Sequence, residues 1–149
     1  MKISKSKIIN IKKGQNLNII DPVNIYQCKF GNNCFVGPFC EIQKNVKIGN
    51  NTRIQSHSFI CELVSIGNDC FIGHGVVFIN DKFENLKPSN GNKKKWQKTK
   101  ISSNVYIGSN STILPVNICS NVVIGAGSVV TKNITKSGKY AGNPAKKIK

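Results

Sequence analysis

Three polar residues at telling positions could do chemistry in this chain. Glu62 and Asn80 stand eighteen residues apart, and Asp81 follows at the mouth of an irregular segment. A carboxamide and two carboxylates gathered at one place suit an amine and its neighbouring hydroxyls. A backbone N–H or the Asn80 amide would stabilise the oxyanion of a tetrahedral intermediate. Asn-Asp also commonly opens a loop, and that reading stands beside the first. His57 and His74 are the only histidines. Histidine is the usual general base, so either could orient an acceptor or take its proton, or simply sit at a corner of the fold.

The spacing of eighteen has meaning because of the repeat that surrounds it. Phe30, Val36, Ile42, Ile48, Ile54, Ile60, Ile66, Ile72 and Phe78 fall six residues apart, all apolar in a chain that is 39% hydrophobic. Four residues after each of the first eight come Cys34, Cys40, Val46, Thr52, Ser58, Val64, Cys70 and Val76, all small or β-branched. A hexad with a large aliphatic first and a small residue fifth is the signature of a parallel β-helix. Three hexads form one triangular coil, and neighbouring coils lie about 4.8 Å apart. Residues i and i+18 therefore stack, which puts Asn80 over Glu62. The corners read Gly31-Asn32-Asn33, Gly49-Asn50-Asn51, Gly67-Asn68-Asp69 and Gly108-Ser109-Asn110, residues that tolerate a left-handed backbone.

The 149 residues form a single domain, 1–149, with an irregular first coil over about 1–20. The lattice breaks after Phe78. A loop over 81–100 carries Pro88, Gly91, Lys93–Lys95 and Trp96, and loops of this length are usually functional. The register resumes at Ile101, Ile107 and Ile113 and slips by one at Leu114-Pro115-Val116. It continues through Ile118, Ile124 and Val130, before a tail over 134–149 leaves the lattice.

The six cysteines form no CxxC pair, and Cys34, Cys40 and Cys70 occupy fifth slots, where cysteine serves as a small core residue. No metal site is expected. The net charge of +16 favours anionic ligands, although Lys, Asn and Ile richness also reflects compositional bias. There is no apolar run long enough to span a membrane and no signal peptide in MKISKSKIINIKKG, so a cytoplasmic location follows by default. A nucleic-acid binder would show a continuous basic stripe with stacking aromatics; here the aromatics are mostly lattice Phe.

Ile107-Gly-Ser-Asn-Ser-Thr-Ile-Leu-Pro115, Val123-Ile-Gly-Ala-Gly-Ser-Val-Val-Thr-Lys132 and Ala141-Gly-Asn-Pro-Ala-Lys146 resemble the carboxyl-terminal half of hexapeptide-repeat acyltransferases over residues 30–149. Phe71-Ile-Gly-His-Gly-Val-Val-Phe-Ile-Asn-Asp-Lys-Phe83 is similar to the N-acetyltransferases of that superfamily that modify nucleotide-linked 3-amino sugars for surface polysaccharides. The resemblance implies a left-handed β-helix, although parallel crossovers are generally right-handed. It also implies a homotrimer with sites between subunits, and acetyl-CoA as co-substrate.

By the same resemblance, the pantetheine arm lies along the turns Gly108-Ser109 and Gly125-Ala126, and Lys132 and Lys146, with Thr131, meet the nucleotide phosphates. Asn80 and Asp81, with Glu62, lie near the acceptor amine. Many O-acetyltransferases of the superfamily place a histidine where this chain has Asn80-Asp81, so an amine is the better acceptor and a hydroxyl the rival. The γ-type carbonic anhydrases of this fold need three histidines on zinc, more than the chain possesses. A non-enzymatic, anion-binding scaffold is the alternative from another class.

Overall fold

The computed structural model describes residues 7–148. They form three parallel sheets that make the sides of a β-helix, all-β apart from two single-turn 3₁₀ segments in the loop. The first face runs through Asn24–Tyr26, Glu41–Ile42, Phe59–Ile60, Val77–Phe78, Thr112–Ile113 and Val129–Val130. The second runs through Lys29–Phe30, Lys47–Ile48, Val64–Ile66, Thr99–Ile101 and Asn117–Ile118. The third contains Phe35–Val36, Arg53–Ile54, Phe71–Ile72, Val105–Ile107 and Val122–Ile124. All nine first-slot residues from Phe30 to Phe78 are buried, five per cent exposed or less. Each such burial contributes about 1.5–3 kcal/mol before the cost of ordering the chain.

The stacking period of eighteen holds in the middle, where Phe35 pairs with Arg53 and Arg53 with Phe71. It is seventeen at both ends: Ile8 faces Ile25 and Ile19 faces Val36, while Ile107 faces Ile124. The first coil is thus regular from Lys7 onward, with Lys12 bridged to Lys29, rather than irregular as expected; residues 1–6 lie outside the described residues. A strict hexad search misses this coil because one residue is absent from its register. The loop is also shorter than expected, since Thr99 and Lys100 already belong to a second-face strand. At the other end Ile134 still bridges Ile118 and Gly138–Ala141 still adds to the third face. Only then does the chain turn back, through the antiparallel strand Lys146–Ile148.

The corners divide their labour differently from the sequence reading. The left-handed positions are Asn33, Asn51 and Asp69, with φ of 55, 53 and 54°. Their side chains form a ladder, Asn33 Nδ2 donating to Asn51 Oδ1 and Asn51 Nδ2 to Asp69 Oδ1. The preceding glycines are not left-handed. A Cβ on Gly49 would stand 2.5 Å from the backbone of Gly67, so glycine is required there by crowding between coils.

The fifth slot is also more than a small-residue slot. Cys34, Thr52, Cys40 and Ser58 donate to the carbonyls of Gly49, Gly67, Gln55 and Gly73 one coil on, at 2.9–3.1 Å. All six cysteines are free, five of them buried. Burial pushes the Cys61 thiol up to about 12 and that of Cys28 to about 11.

Candidate active site

The solenoid opens at Asn80. Ile79 still donates its N–H to Ile113, but the chain then leaves, returning at Thr99, whose N–H reaches Leu63. The neck of the loop is closed by Asn80, which accepts from the Gln97 N–H at 2.9 Å. The Asn80 amide donates from Nδ2 to the Glu62 carbonyl at 3.2 Å, so the eighteen-residue stacking of these two residues is realised. Asp81 turns into the loop. Its Oδ2 accepts from the Ser89 N–H at 2.7 Å and its Oδ1 from the Phe83 N–H at 3.0 Å. The Ser89 N–H foremost, then that of Phe83, holds the Asp81 carboxyl below the usual carboxylate range.

Glu62 is buried, and a loop cation meets it: Lys93 Nζ lies 2.8 and 3.1 Å from the two carboxylate oxygens. The same ammonium stands 5.1 Å from the ring centroid of Trp96, within cation–π range. Trp96 is fixed in turn by its Nε1–H donating to Ser89 Oγ at 2.7 Å. Hydrogen bonding to Glu62 raises the Lys93 pKa. Beside this cluster a groove of about 290 Å³ is lined by Gln43, Phe59, Ile79, Asn80, Phe83 and Trp96, among others. The sequence reading missed Lys93 as the partner of Glu62 and Trp96 as the ring beside it. They belong to no repeat, and only the folded loop brings Lys93 to Glu62 across thirty-one residues.

The other expected residues lie elsewhere in the chain. His57 and His74 stand at the corner between the third and first faces, whereas Asn80 is at the corner between the first and second. His57, left-handed at φ 63°, packs its ring on Phe39 with centroids 4.8 Å apart. His74 Nδ1 is 2.8 Å from Ser56 Oγ. One chain therefore does not bring either histidine to Asn80.

Gly108-Ser109 and Gly125-Ala126 do stack, at that same third-to-first corner. Gly108 donates to Ile124 and Gly127 to Ser109, both at 2.8 Å. A Cβ on Gly108 would collide with the Ala126 nitrogen, so the turns are in close contact. Thr131 and Lys132 follow the last first-face strand, and Lys146 pairs with Ala141 at the edge of the third face. Ala145 donates to the Val129 carbonyl at 2.8 Å, so the residue before Lys146 is bonded to the strand that Thr131 and Lys132 follow.

The third face carries an outward ladder that the sequence did not flag: Phe71 on Tyr106 on Val123, between 37 and 46% exposed. Phe35 extends the column, with the Arg53 guanidinium 4.4 Å from its ring centroid. Among the described residues no group of His, Cys, Asp and Glu could hold a metal ion, and no helix is long and apolar enough to cross a membrane.

The coil geometry agrees with what known proteins show. The family profile "bacterial transferase hexapeptide (six repeats)" matches residues 27–62, and "hexapeptide repeat of succinyl-transferase" matches 63–79 and 98–132. Between them they span more than half of the chain, and the gap from 80 to 97 is the loop. The chain belongs to the hexapeptide-repeat transferases.

It is 35% identical to the bifunctional protein GlmU of Clostridium botulinum over 109 residues, 72% of this chain but 21% of that protein. It thus spans about a fifth of the length of the first curated relatives it matches. Its fold superposes on a variant of AntD, an N-acyltransferase from Bacillus cereus in complex with dTDP and coenzyme A. The TM-score is 0.82 at 27% identity, over 93% of this chain and 82% of that one. It also matches a maltose O-acetyltransferase from Clostridium difficile 630, with a TM-score of 0.62 at 25% identity over 97% and 68% of the two chains.

Proposed function

We propose that this protein is an acetyl-CoA-dependent N-acetyltransferase whose acceptor is a nucleotide-linked amino sugar, a 3-amino-deoxy sugar destined for surface polysaccharide. One observation carries the reading. The buried Glu62 carboxylate already holds an alkylammonium, that of Lys93, against the face of Trp96 and next to the Asn80 amide. A sugar ammonium offers the same charge and donors. The dTDP and coenzyme A bound to AntD support the two co-substrates.

The residues then take definite roles. Glu62 seats the ammonium, which gives up one proton to water or to a histidine. The amine lone pair attacks the thioester carbonyl, the C–N bond forms, and the C–S bond breaks. The departing CoA thiolate takes the second amine proton. Asn80 has two amide hydrogens; one is used on the Glu62 carbonyl and the other is available to the oxyanion. Asp81 is a positioning residue, because a carboxylate bound by two backbone N–H groups is a poor base.

The CoA arm runs along Gly108-Ser109 and Gly125-Ala126, with Thr131, Lys132 and Lys146 toward its phosphates. Since His57, His74 and these turns occupy a different corner from Asn80, a complete site needs two chains, as in a homotrimer. The exposed Phe71–Tyr106–Val123 ladder and the loop residues Phe83 and Leu86 are apolar surface that neighbouring copies would cover.

Acetyl transfer from acetyl-CoA to a panel of UDP- and dTDP-linked amino sugars, with a simple glycoside alongside, tests the reading. Turnover confined to amino sugars is expected. Preference for the glycoside hydroxyl would transfer the assignment to O-acetylation, and lack of thermal protection by acetyl-CoA would favour a scaffold.

A further inference from the structure

Around the corner from Glu62 the second face holds a groove of about 400 Å³ that none of the roles above uses. Its polar walls are Lys29, Lys47 and Lys98 with Gln27, Asn45 and Ser65. None of the chain's six acidic residues lines it. The lysines are placed by the solenoid itself. Lys29 pairs directly with Lys47 on adjacent strands, and Lys12 is bridged to Lys29 one rung beyond. Like charges directly opposite one another destabilise a sheet, and among the described residues the salt bridge found is that of Lys93 with Glu62, in another cluster. This row of cations is therefore suited to an anionic ligand.

The groove shares an edge with the acceptor cluster. Lys98 follows Gln97, which closes the loop neck on Asn80, and Leu63 follows Glu62. Consecutive Cα atoms lie about 3.8 Å apart, so the groove begins within one residue of the proposed amine seat. Leu63 supplies an apolar wall from an unusual backbone. It is left-handed at φ 72°, in a corner column whose other members, Gln27 and Asn45, are polar. A branched apolar residue is costly in that region.

We propose that this groove seats the nucleoside diphosphate of the acceptor, with Lys29, Lys47 and Lys98 on the phosphates and Leu63 against the nucleoside. The inference rests on the amino-sugar reading for the acceptor's identity, though not for the binding itself. Coenzyme A also carries a diphosphate. Its proposed turns lie at another corner, and Lys132 and Lys146 follow the last first-face strand, several coils beyond Lys29 and Lys47, which favours the acceptor as the source.

Calorimetric titration of the full chain with dTDP, UDP, pyrophosphate and CoA separates the cases. The nucleoside diphosphates should bind the unaltered protein, and affinity should fall as salt rises. Lys29→Gln, Lys47→Gln and Lys98→Gln should each weaken that binding by about tenfold or more, the worth of one charge-assisted contact. CoA affinity should stay within about twofold. Lys7→Gln, on the first face, is the control for net charge, and circular dichroism checks that each variant folds.

Failure of dTDP and UDP to bind the unaltered protein, or equal loss in the Lys7→Gln control, overturns the proposal. So does lysine-dependent binding of CoA but not dTDP. Lysine-dependent binding of dTDP without acetyl transfer to any amino sugar would leave the groove standing and remove the enzymatic reading. Acetyl transfer with an unchanged nucleotide-sugar KM in the three variants would do the reverse.

Discussion

Glu62→Gln is the substitution that most sharply tests how the site works. The carboxylate is 9% exposed at its side chain and contacts an ammonium through both oxygens, at 2.8 and 3.1 Å. Glutamine keeps the shape and one acceptor oxygen but removes the charge. A hydrogen bond to a charged group is worth about 1.5–3 kcal/mol, so kcat/KM for an amino-sugar acceptor should fall by roughly 10- to 150-fold. A competing explanation is that Glu62 only anchors the loop through Lys93.

The two accounts separate in a double-mutant cycle with Lys93→Gln. If Glu62 seats the substrate, Lys93→Gln vacates the carboxylate and leaves activity equal or higher, while Glu62→Gln is harmful in both backgrounds. If the pair is only a strut, both single variants lose activity and the double variant loses no more than either. The assay is initial-rate acetyl transfer across acceptor concentrations, with Trp96 fluorescence as the check on loop structure. A Glu62→Gln enzyme within about twofold of the unaltered one would refute the assignment.

Three other outcomes are expected. The loop should hold across a wide pH range. Lys93, whose pKa is raised by Glu62, contributes fully below the ordinary lysine value of 10.5 and loses its contribution as pH climbs through the raised value. Asp81, whose pKa is lowered by the Ser89 and Phe83 N–H groups, contributes above 3.8 and loses its contribution as pH falls through the lowered value. Fluorescence of Trp96, the single tryptophan, should therefore change at those two extremes and remain flat between. In a thiol-alkylation time course at pH 8, Cys119 should react first, while Cys61 and Cys28, pushed up to about 12 and 11, stay protected until global unfolding. Gly49→Ala should destabilise by about 1–3 kcal/mol, since its Cβ meets backbone of the next coil; each kcal/mol lowers Tm by about 2–4 °C, read by calorimetry.

What could be read in advance follows from how a solenoid stores information. The core was legible because each first-slot residue meets the same environment, so Ile42, Ile54, Ile60 and Ile72 are interchangeable statements of one fact. Stacking of Asn80 on Glu62 was legible for the same reason. The glycine corners were recognised but for a different physical cause: Asn33, Asn51 and Asp69 bear the left-handed backbone, and Gly31 and Gly49 provide room for the neighbouring coil. The pairing of Lys93 with Glu62 could not be read, because a loop outside the repeat offers no register from which to count.

Surface columns form the intermediate case, and they bear most on function. Lys12, Lys29 and Lys47 are unremarkable in a chain with twenty-two Lys and Arg residues, and Phe71, Tyr106 and Val123 share no spacing. They become two ladders only once the changing period is known: seventeen, then eighteen, then seventeen again after an interval of thirty-five across the loop. The one-residue change in period falls outside the paired strands, since outward Tyr106 still stacks on Val123 and inward Ile107 on Ile124. The core therefore constrains the outer columns without determining their chemistry. Cations have accumulated on the face beside the loop neck, where Lys12, Lys29 and Lys47 form one column. Phe35, Phe71 and Tyr106 lie in one outward column of the third face. The groove lysines and the exposed aromatics are thus set on different sides of one repeating core.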